Sequence, residues 1–109
     1  MTDRTMELVP TRDSDALTND LCAALLTPKN AADMRVLLAD LCTPAEIRTL
    51  AERWHVARLL DRDELSYREI QEVTGVSTTT VVRVARFLRQ EPHHGYRHAL
   101  DALETRDAR

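Results

Sequence analysis

Residues 66–88 of this chain, SYREIQEVTGVSTTTVVRVARFL, predict two short helices joined by a tight turn. The spacing of Ser66 and Glu69 fits a capping box, in which two side chains satisfy two backbone N–H groups at a helix start. Gly75 follows the first helix, where glycine adopts the left-handed conformation that ends a helix without a steric penalty. Ser77 is suited to cap the second helix. We therefore predict a helix-turn-helix over about residues 66–88.

The second helix of this motif has two chemically different faces. Apolar side chains recur at spacings of three and four and predict a buried face: Val81, Val84, Ala85 and Leu88. The other face is polar: Thr78, Thr79, Arg83 and Arg86. An ordinary helical hairpin with a solvated polar face would share this pattern. The agreement of caps, glycine, valine spacing and a Thr/Arg face favours a recognition helix that enters a DNA major groove.

Composition predicts an all-α protein, and the helix starts and stops along the chain predict about six helices. The chain has 109 residues, only two glycines, four prolines and four aromatic residues. The net charge of −3 at pH 7 argues against a non-specific nucleic-acid binder. The charge is unevenly placed, however, since residues 66–90 hold four arginines against two glutamates. A local basic face on an acidic protein is compatible with DNA binding.

Several other functions are not expected. No apolar run reaches the length of a membrane span, and the first ten residues lack the apolar core of a signal peptide, so we expect a cytoplasmic protein without a membrane partner. Cys22 and Cys42 each stand beside leucine or alanine, which favours buried, reduced thiols over a disulfide or a metal pair. The sequence contains no nucleophile motif, phosphate loop or zinc spacing. We therefore predict no enzymatic activity, no cofactor and no metal.

The N-terminal part predicts a mobile arm over residues 1–13, followed by two leucine-rich helices. Ser14 is the expected cap of the first helix and Asn30 the expected cap of the second. Their leucines exceed what a small monomer needs for packing, which indicates a surface for another copy of the chain. The alternative is that both helices fold back on the helices that follow.

A long central helix starts at Thr43-Pro44-Ala45-Glu46, where a cap, a proline at the first helical position and a capping-box glutamate coincide. We expect it to continue to about Asp61. Its predicted buried side consists of Ile47, Leu50, Ala51, Trp54, Ala57 and Leu60. A last helix is expected over about His93–Glu104, so that residues 14–104 form one domain and 105–109 a frayed tail.

The expected DNA contacts are of two kinds. The start of a recognition helix lies deepest in the groove, which assigns base edges to Ser77, Thr78, Thr79 and Thr80. Phosphates are assigned to Tyr67 and Arg68 at the start of the first helix, and to Arg83 and Arg86 on the second. Gln71 is expected to bind either a phosphate or an adenine.

These residues resemble the tryptophan-repressor superfamily, and in particular its YerC/YecD-type branch of repressor-related regulators. The resemblance covers about residues 30–100 and rests on LCTPAE at Leu41–Glu46, Arg53 ten residues after the threonine, LLDRDELSYRE at Leu59–Glu69 and TGVSTTTVVRVARFL at Thr74–Leu88. It implies an intertwined homodimer whose two helix-turn-helix motifs bind successive major grooves of double-stranded DNA. It also implies transcriptional regulation, with repression as the family's usual role.

The resemblance also allows a prediction of whether this chain binds tryptophan. In the repressor the indole lies between two arginines, which match Arg53 and Arg83 here, and Thr43 matches a residue near the same site. The family pattern has glycine where this chain has Val84, and serine where it has Phe87. Both replacements fill space that the ligand needs. We therefore predict a vestigial pocket formed by these five residues, without tryptophan binding.

Two other functions stay open at this point. One is a helical protein-interaction and dimerisation module in which the helix-turn-helix is an inert scaffold, which the acidic net charge favours. The other is a ligand-gated repressor, which the valine and phenylalanine in the pocket disfavour. The leading prediction is a sequence-specific DNA-binding regulator that acts as a homodimer.

Overall fold

The computed structural model describes residues 8–107, and these contain six α-helices and no strand. They are α1 (Ser14–Leu25), α2 (Ala31–Leu41), α3 (Pro44–Arg62), α4 (Tyr67–Thr74), α5 (Thr78–Arg89) and α6 (Gly95–Asp107). The predicted all-α class with six helices is confirmed. Residues 1–7 of the predicted mobile arm and residues 108–109 of the predicted frayed tail lie outside the described residues. None of the six described helices has both the length and the apolar character that a membrane crossing requires.

Packing divides the chain into two compact units, one ending at Cys42 and the other beginning at Thr43. We call them the N-terminal unit, with α1 and α2, and the helix-turn-helix unit, with α3 to α6. The single domain expected over residues 14–104 stays a prediction.

In the N-terminal unit, both helices are capped but neither buries a residue. Asp13, not Ser14, caps α1, since its side chain accepts a hydrogen bond from the N–H of Asp15 at 3.1 Å. The predicted cap of α2 is confirmed, because Asn30 accepts from the N–H of Asp33 at 2.8 Å. The predicted burial of both thiols is wrong for the single chain: the first is exposed, and the second is half-buried.

The helix-turn-helix unit starts at the predicted capping box. The Thr43 hydroxyl accepts from the N–H of Glu46 at 3.1 Å, and the glutamate carboxylate accepts from the N–H of Thr43 at 2.8 Å. α3 then runs to Arg62, one residue beyond the expected end, and Asp63 closes it in the left-handed conformation. The core of this unit is built from α3, α4, α5 and the turn between the last two: Val56, Ala57, Leu60, Ile70, Val76, Val81, Val84 and Ala85.

The predicted buried side of α3 is only partly correct. Its buried residues are Val56, Ala57 and Leu60, all in its second half. Leu50, which was expected inside, keeps 49% of its surface exposed, and Ala51 is exposed as well. A helical repeat shows which face is apolar, but it does not show how far along the helix its neighbours reach. The first half of α3 therefore carries an apolar face that the single chain leaves open.

The last helix is shifted from its predicted position. It begins at Gly95 rather than at His93, because His94 adopts a positive φ of 61° and precedes the first helical turn. It continues past Glu104 to Asp107, so the first part of the predicted frayed tail is helical. Arg97 links α6 to α3 through a two-pronged ion pair with Asp61, with N–O distances of 2.8 and 3.1 Å.

Candidate nucleic-acid interface

α4 and α5 form the predicted helix-turn-helix, and local side-chain chemistry sets both of its ends. Ser66 and Glu69 exchange the two capping-box hydrogen bonds at 3.1 and 2.8 Å. Gly75 ends α4 with a φ of 76°, in the left-handed region that glycine adopts without strain. The Ser77 hydroxyl then accepts from the N–H of Thr80 and starts α5.

The turn between the two helices is held by Thr74. Its hydroxyl donates to the carbonyl of Ile70 at 2.6 Å and accepts from the N–H of Val76 at 3.2 Å. Ile70 has no exposed surface, and Val76 is buried as well. Together with the buried face of α5, they fix the turn against α3, which leaves the opposite face of α5 to solvent.

The exposed face of α5 carries most of the residues that the sequence assigned to DNA. Ser77, Thr78 and Thr79 are exposed at its start, and Thr80 is half-buried. The hydroxyls of Ser77 and Thr80 lie 3.1 Å apart. The hydroxyls of Thr78 and Thr79 can therefore meet base edges, whereas the Ser77 hydroxyl is partly occupied in capping the helix and in its contact with Thr80.

Val82 is an apolar residue on this face, and the sequence analysis did not single it out. It keeps 51% of its surface exposed, three residues after Thr79 and four before Arg86. That spacing on an otherwise polar face is the signal that would have found it. A branched apolar side chain in this place can contact the methyl group of thymine, the one apolar feature of the major groove.

Gln71 joins the two helices of the motif. Its side-chain Nε2 donates a hydrogen bond to Oγ1 of Thr78, the first residue of α5. From the sequence, we expected Gln71 to bind a phosphate or an adenine. In the structure its amide contacts another side chain that is expected to face DNA.

The arginines of the motif lie in different surroundings. Arg68 is widely exposed, with 86% of its side chain open to solvent and Glu72 at 3.6 Å on the same helix. Arg83 and Arg86 both lie over the ring of Phe87, at 4.5 and 5.0 Å from its centre. These contacts place two guanidinium groups on one aromatic ring beside the exposed face of α5.

Arg89, which the sequence analysis left without a role, connects the end of α5 to the rest of the unit. It donates to the carbonyl of Leu60 in α3 at 3.1 Å and to Oη of Tyr67 in α4 at 3.4 Å. Arg89 and Leu60 are separated by 29 residues in the chain. No local sequence pattern could have paired them.

Two of the five residues of the predicted vestigial pocket lie on one cavity. This cavity of about 400 Å³ is lined by Arg83, Phe87, His93, Gly95 and Tyr96. The ring of Phe87 stacks on His93, with 5.8 Å between ring centres.

The other three residues of the predicted pocket lie elsewhere in the unit. Val84 is fully buried and belongs to the hydrophobic core. Arg53 is half-buried on α3, and Thr43 caps the same helix. Of the two replacements that are predicted to fill the space of a ligand, only Phe87 lines this cavity.

The described residues thus define an all-helical protein that carries a capped and packed helix-turn-helix. A family model described as Trp repressor protein matches residues 16–104. The chain belongs to the Trp repressor family, as its resemblance predicted. The members of this family are non-enzymatic regulators, and this chain is not an enzyme.

Individual relatives agree with this membership. The chain is 37% identical over 86 residues to the uncharacterized protein YerC of Bacillus subtilis strain 168, covering 79% of this chain and 81% of that protein. The crystal structure of a TrpR-like protein from Eubacterium eligens ATCC 27750 superposes with a TM-score of 0.75 at 34% identity, covering 82% of this chain and 90% of the other. A candidate Trp repressor from Staphylococcus aureus gives a TM-score of 0.75 at 32% identity, covering 82% and 87%.

Proposed function

We propose that this chain is a sequence-specific DNA-binding transcriptional regulator, which acts in the bacterial cytoplasm as a homodimer and without tryptophan as corepressor. The observation that supports this most directly is the exposed hydroxyl and guanidinium face of α5. Capping and core packing hold that helix, while its first residues stay open to solvent. Membership of the Trp repressor family supports the same function.

The residues divide by the part of DNA that each can bind. Thr78 and Thr79, at the start of α5, are suited to base edges, where hydroxyl groups and methyl groups both find partners. Arg68 is suited to a phosphate, because its guanidinium is almost fully exposed and its ion pair with a neighbouring glutamate is solvated. Arg83 and Arg86 lie on Phe87 and can reach the DNA backbone from that side.

The proposed dimer rests on the apolar surface that the single chain leaves open. Leu17 and Leu21 of α1 keep 54% and 42% of their surface exposed, and Val36 of α2 keeps 66%. Exposed apolar surface of this kind is typical of an interface between subunits. In a symmetric dimer of this family, the two recognition helices would lie about one DNA turn apart, roughly 34 Å.

The absence of tryptophan binding is proposed from Phe87. Its ring contacts Arg83, one of the two arginines that the resemblance places on either side of an indole. A guanidinium that already stacks on an aromatic ring of its own chain is less available to a ligand. Isothermal titration with L-tryptophan should show no heat of binding, and micromolar affinity would refute this part of the proposal.

The decisive experiment for DNA binding is a gel shift on sheared genomic DNA at several salt concentrations. The wild-type protein should retain a subset of fragments when salt removes the rest, because base contacts persist where phosphate contacts weaken. Thr79→Ala should lower specific binding only. Arg68→Ala should weaken binding to all fragments and reduce the salt dependence by about one unit of slope.

The second candidate function is a protein-interaction module with an inert helix-turn-helix. The net charge of −3 and the open apolar surface of α1 and α2 favour it. It predicts no gel shift even at low salt, where phosphate contacts are strongest.

A further inference from the structure

We infer that Gln71 and Thr78 together read one base and specify a purine, rather than a pyrimidine, at one position of one DNA strand. This inference rests on the proposed function, and it goes beyond it by assigning one base-edge chemistry to one pair of side chains. The pair consists of a residue from each helix of the motif, joined by the hydrogen bond from Nε2 of Gln71 to Oγ1 of Thr78.

The position of the pair suits base reading. Thr78 is the first residue of α5 and is exposed, at the end of the recognition helix that lies deepest in a major groove. Gln71 lies on α4 and is half-buried, so its amide approaches the same spot from the side. The hydrogen bond therefore brings two polar groups to one place on the surface.

The hydrogen bond also determines what the pair can offer to DNA. Because the Thr78 hydroxyl accepts from Gln71, its own hydrogen remains to be donated outward. The amide of Gln71 keeps a second N–H hydrogen and a carbonyl oxygen. The pair therefore presents two adjacent donors to DNA, with one acceptor beside them.

A purine matches this set better than a pyrimidine does. In the major groove, guanine offers N7 and O6 as acceptors, and adenine offers N7 together with an N6 donor. Cytosine offers one donor, and thymine offers one acceptor beside a methyl group. The Thr78 hydroxyl would donate to N7, the acceptor that both purines share, while the Gln71 amide meets O6 or N6.

A purely structural role for this hydrogen bond would be redundant. The two helices are already held by fully buried residues, Ile70 and Val81, and by the hydroxyl of Thr74 in the turn. An exposed bond between two polar side chains adds little to such packing. Its effect is to order a long, flexible amide before DNA arrives, which reduces the entropy lost on binding.

The test starts with selection of bound sequences from random duplexes by the wild-type protein and by four variants. Gln71→Ala and Thr78→Val should each reduce the preference for a purine over a pyrimidine by about tenfold, and both should do so at the same position. The double variant should show no larger loss of purine preference than either single variant, because either substitution alone already removes the hydrogen bond between the two side chains. Thr78→Ser keeps the hydroxyl and should keep the preference.

Replacement of N7 by C–H, using a 7-deazapurine at that base pair, tests the same contact on the wild-type protein. Binding should weaken about tenfold with 7-deazaguanine or 7-deazaadenine, whichever matches the selected base. Variants that lack the Thr78 hydroxyl should not respond. This measurement stands even if one variant fails to fold.

Three results would overturn the inference. Gln71→Ala and Thr78→Val could change preference at different base pairs, or leave all preferences unchanged, or the wild-type protein could ignore the loss of N7. Each of these leaves the proposed function intact, since a selected sequence is still bound. If the wild-type protein selects no sequence at all, the proposed function fails, and the inference fails with it.

Discussion

Capping side chains start both helices of the N-terminal unit and three helices of the helix-turn-helix unit, but the two units differ in what those helices bury. In the helix-turn-helix unit, six apolar residues have 2% or less of their surface exposed: Val56, Ala57, Leu60, Ile70, Val81 and Val84. In the N-terminal unit, α1 and α2 contain no buried residue. Capping side chains start helices in both units, whereas among the residues that the structure describes only the helix-turn-helix unit has a hydrophobic core.

This difference shows what each unit requires for stability. Isolated helices of 11 or 12 residues, the lengths of α2 and α1, are only marginally stable in water, because tertiary packing supplies most of the stability of a helix. The helix-turn-helix unit finds that packing within itself. The N-terminal unit would find it in the proposed dimer.

The largest expected effect comes from removing a core residue of the helix-turn-helix unit. Ile70→Ala deletes a side chain with no exposed surface and should lower the free energy of unfolding by about 2–5 kcal/mol. Val73→Ala, on the same helix with 66% of its surface exposed, should change it by less than about 0.5 kcal/mol. Chemical denaturation followed by circular dichroism measures both, and equal losses would contradict the assigned core.

The next effect tests the dependence of the N-terminal unit on a partner. Leu21→Glu places a charge on the open apolar face of α1 and should raise the dissociation constant of the dimer at least about tenfold, because an unpaired charge is costly to bury. Sedimentation equilibrium measures that constant. Asp20→Asn, at an exposed neighbouring position, is the matched control and should leave it unchanged.

A wild-type protein that sediments as a monomer at all concentrations would refute this prediction. The comparison between the two units would then need another explanation. Association that persists in Leu21→Glu would place the interface elsewhere.

Removal of a helix cap should destabilise the protein by a similar amount in either unit. Asn30→Ala removes the cap of α2, and Ser66→Ala removes that of α4, each of which accepts one hydrogen bond from a helix N–H. Each substitution should destabilise the protein by about 1 kcal/mol, because capping acts locally. Asn30→Ser and Ser66→Asn should restore most of the loss. Thermal unfolding at one fixed protein concentration provides the measurement.

The smallest effect concerns the ion pair that links α3 to α6. The hydrogen bond from Arg97 holds the pKa of Asp61 below its ordinary value of 3.8, although partial burial of the carboxyl acts in the opposite direction. A carboxyl whose pKa is lowered by folding stabilises the protein above its ordinary pKa, and that contribution is lost as the pH falls through the folded value.

Asp61→Asn should therefore unfold slightly more easily than the wild-type protein at pH 7. The difference should shrink as the pH falls below 3.8, the ordinary value of this carboxyl. Urea denaturation at pH 7 and at a pH below 3.8 measures the difference, with Glu64→Gln, an exposed neighbour, as the control. A difference that grows in acid would contradict the direction of the shift.

The sequence could predict what depends on near neighbours in the chain. Ser66 with Glu69, Thr43 with Glu46, and Gly75 are three such cases, because each forms its contact within a few residues. The resemblance supplied the family on the same kind of evidence, since its motifs are short runs of residues.

The sequence could not predict what depends on packing at a distance. The exposed state of Leu50 depends on how far α4 and α5 reach along α3, which periodicity does not encode. The hydrogen bond of Gln71 to Thr78 depends on the angle between two helices. At the candidate site, the residue types were therefore foreseeable, whereas the partners of Gln71 and Arg89 were not.

The contact of Arg89 with Leu60 has a consequence for how α5 is oriented about its own axis. Successive residues of an α-helix are about 100° apart around that axis, so a rotation by one residue would turn the buried Val81 outward and Val82 inward. Arg89 restrains this rotation at the end of the helix through its hydrogen bonds to Leu60 and Tyr67, and the buried Val76 anchors the chain just before its start. Restraints at the two ends of this helix, roughly 16 Å apart, resist rotation and tilt together, as a single contact would not.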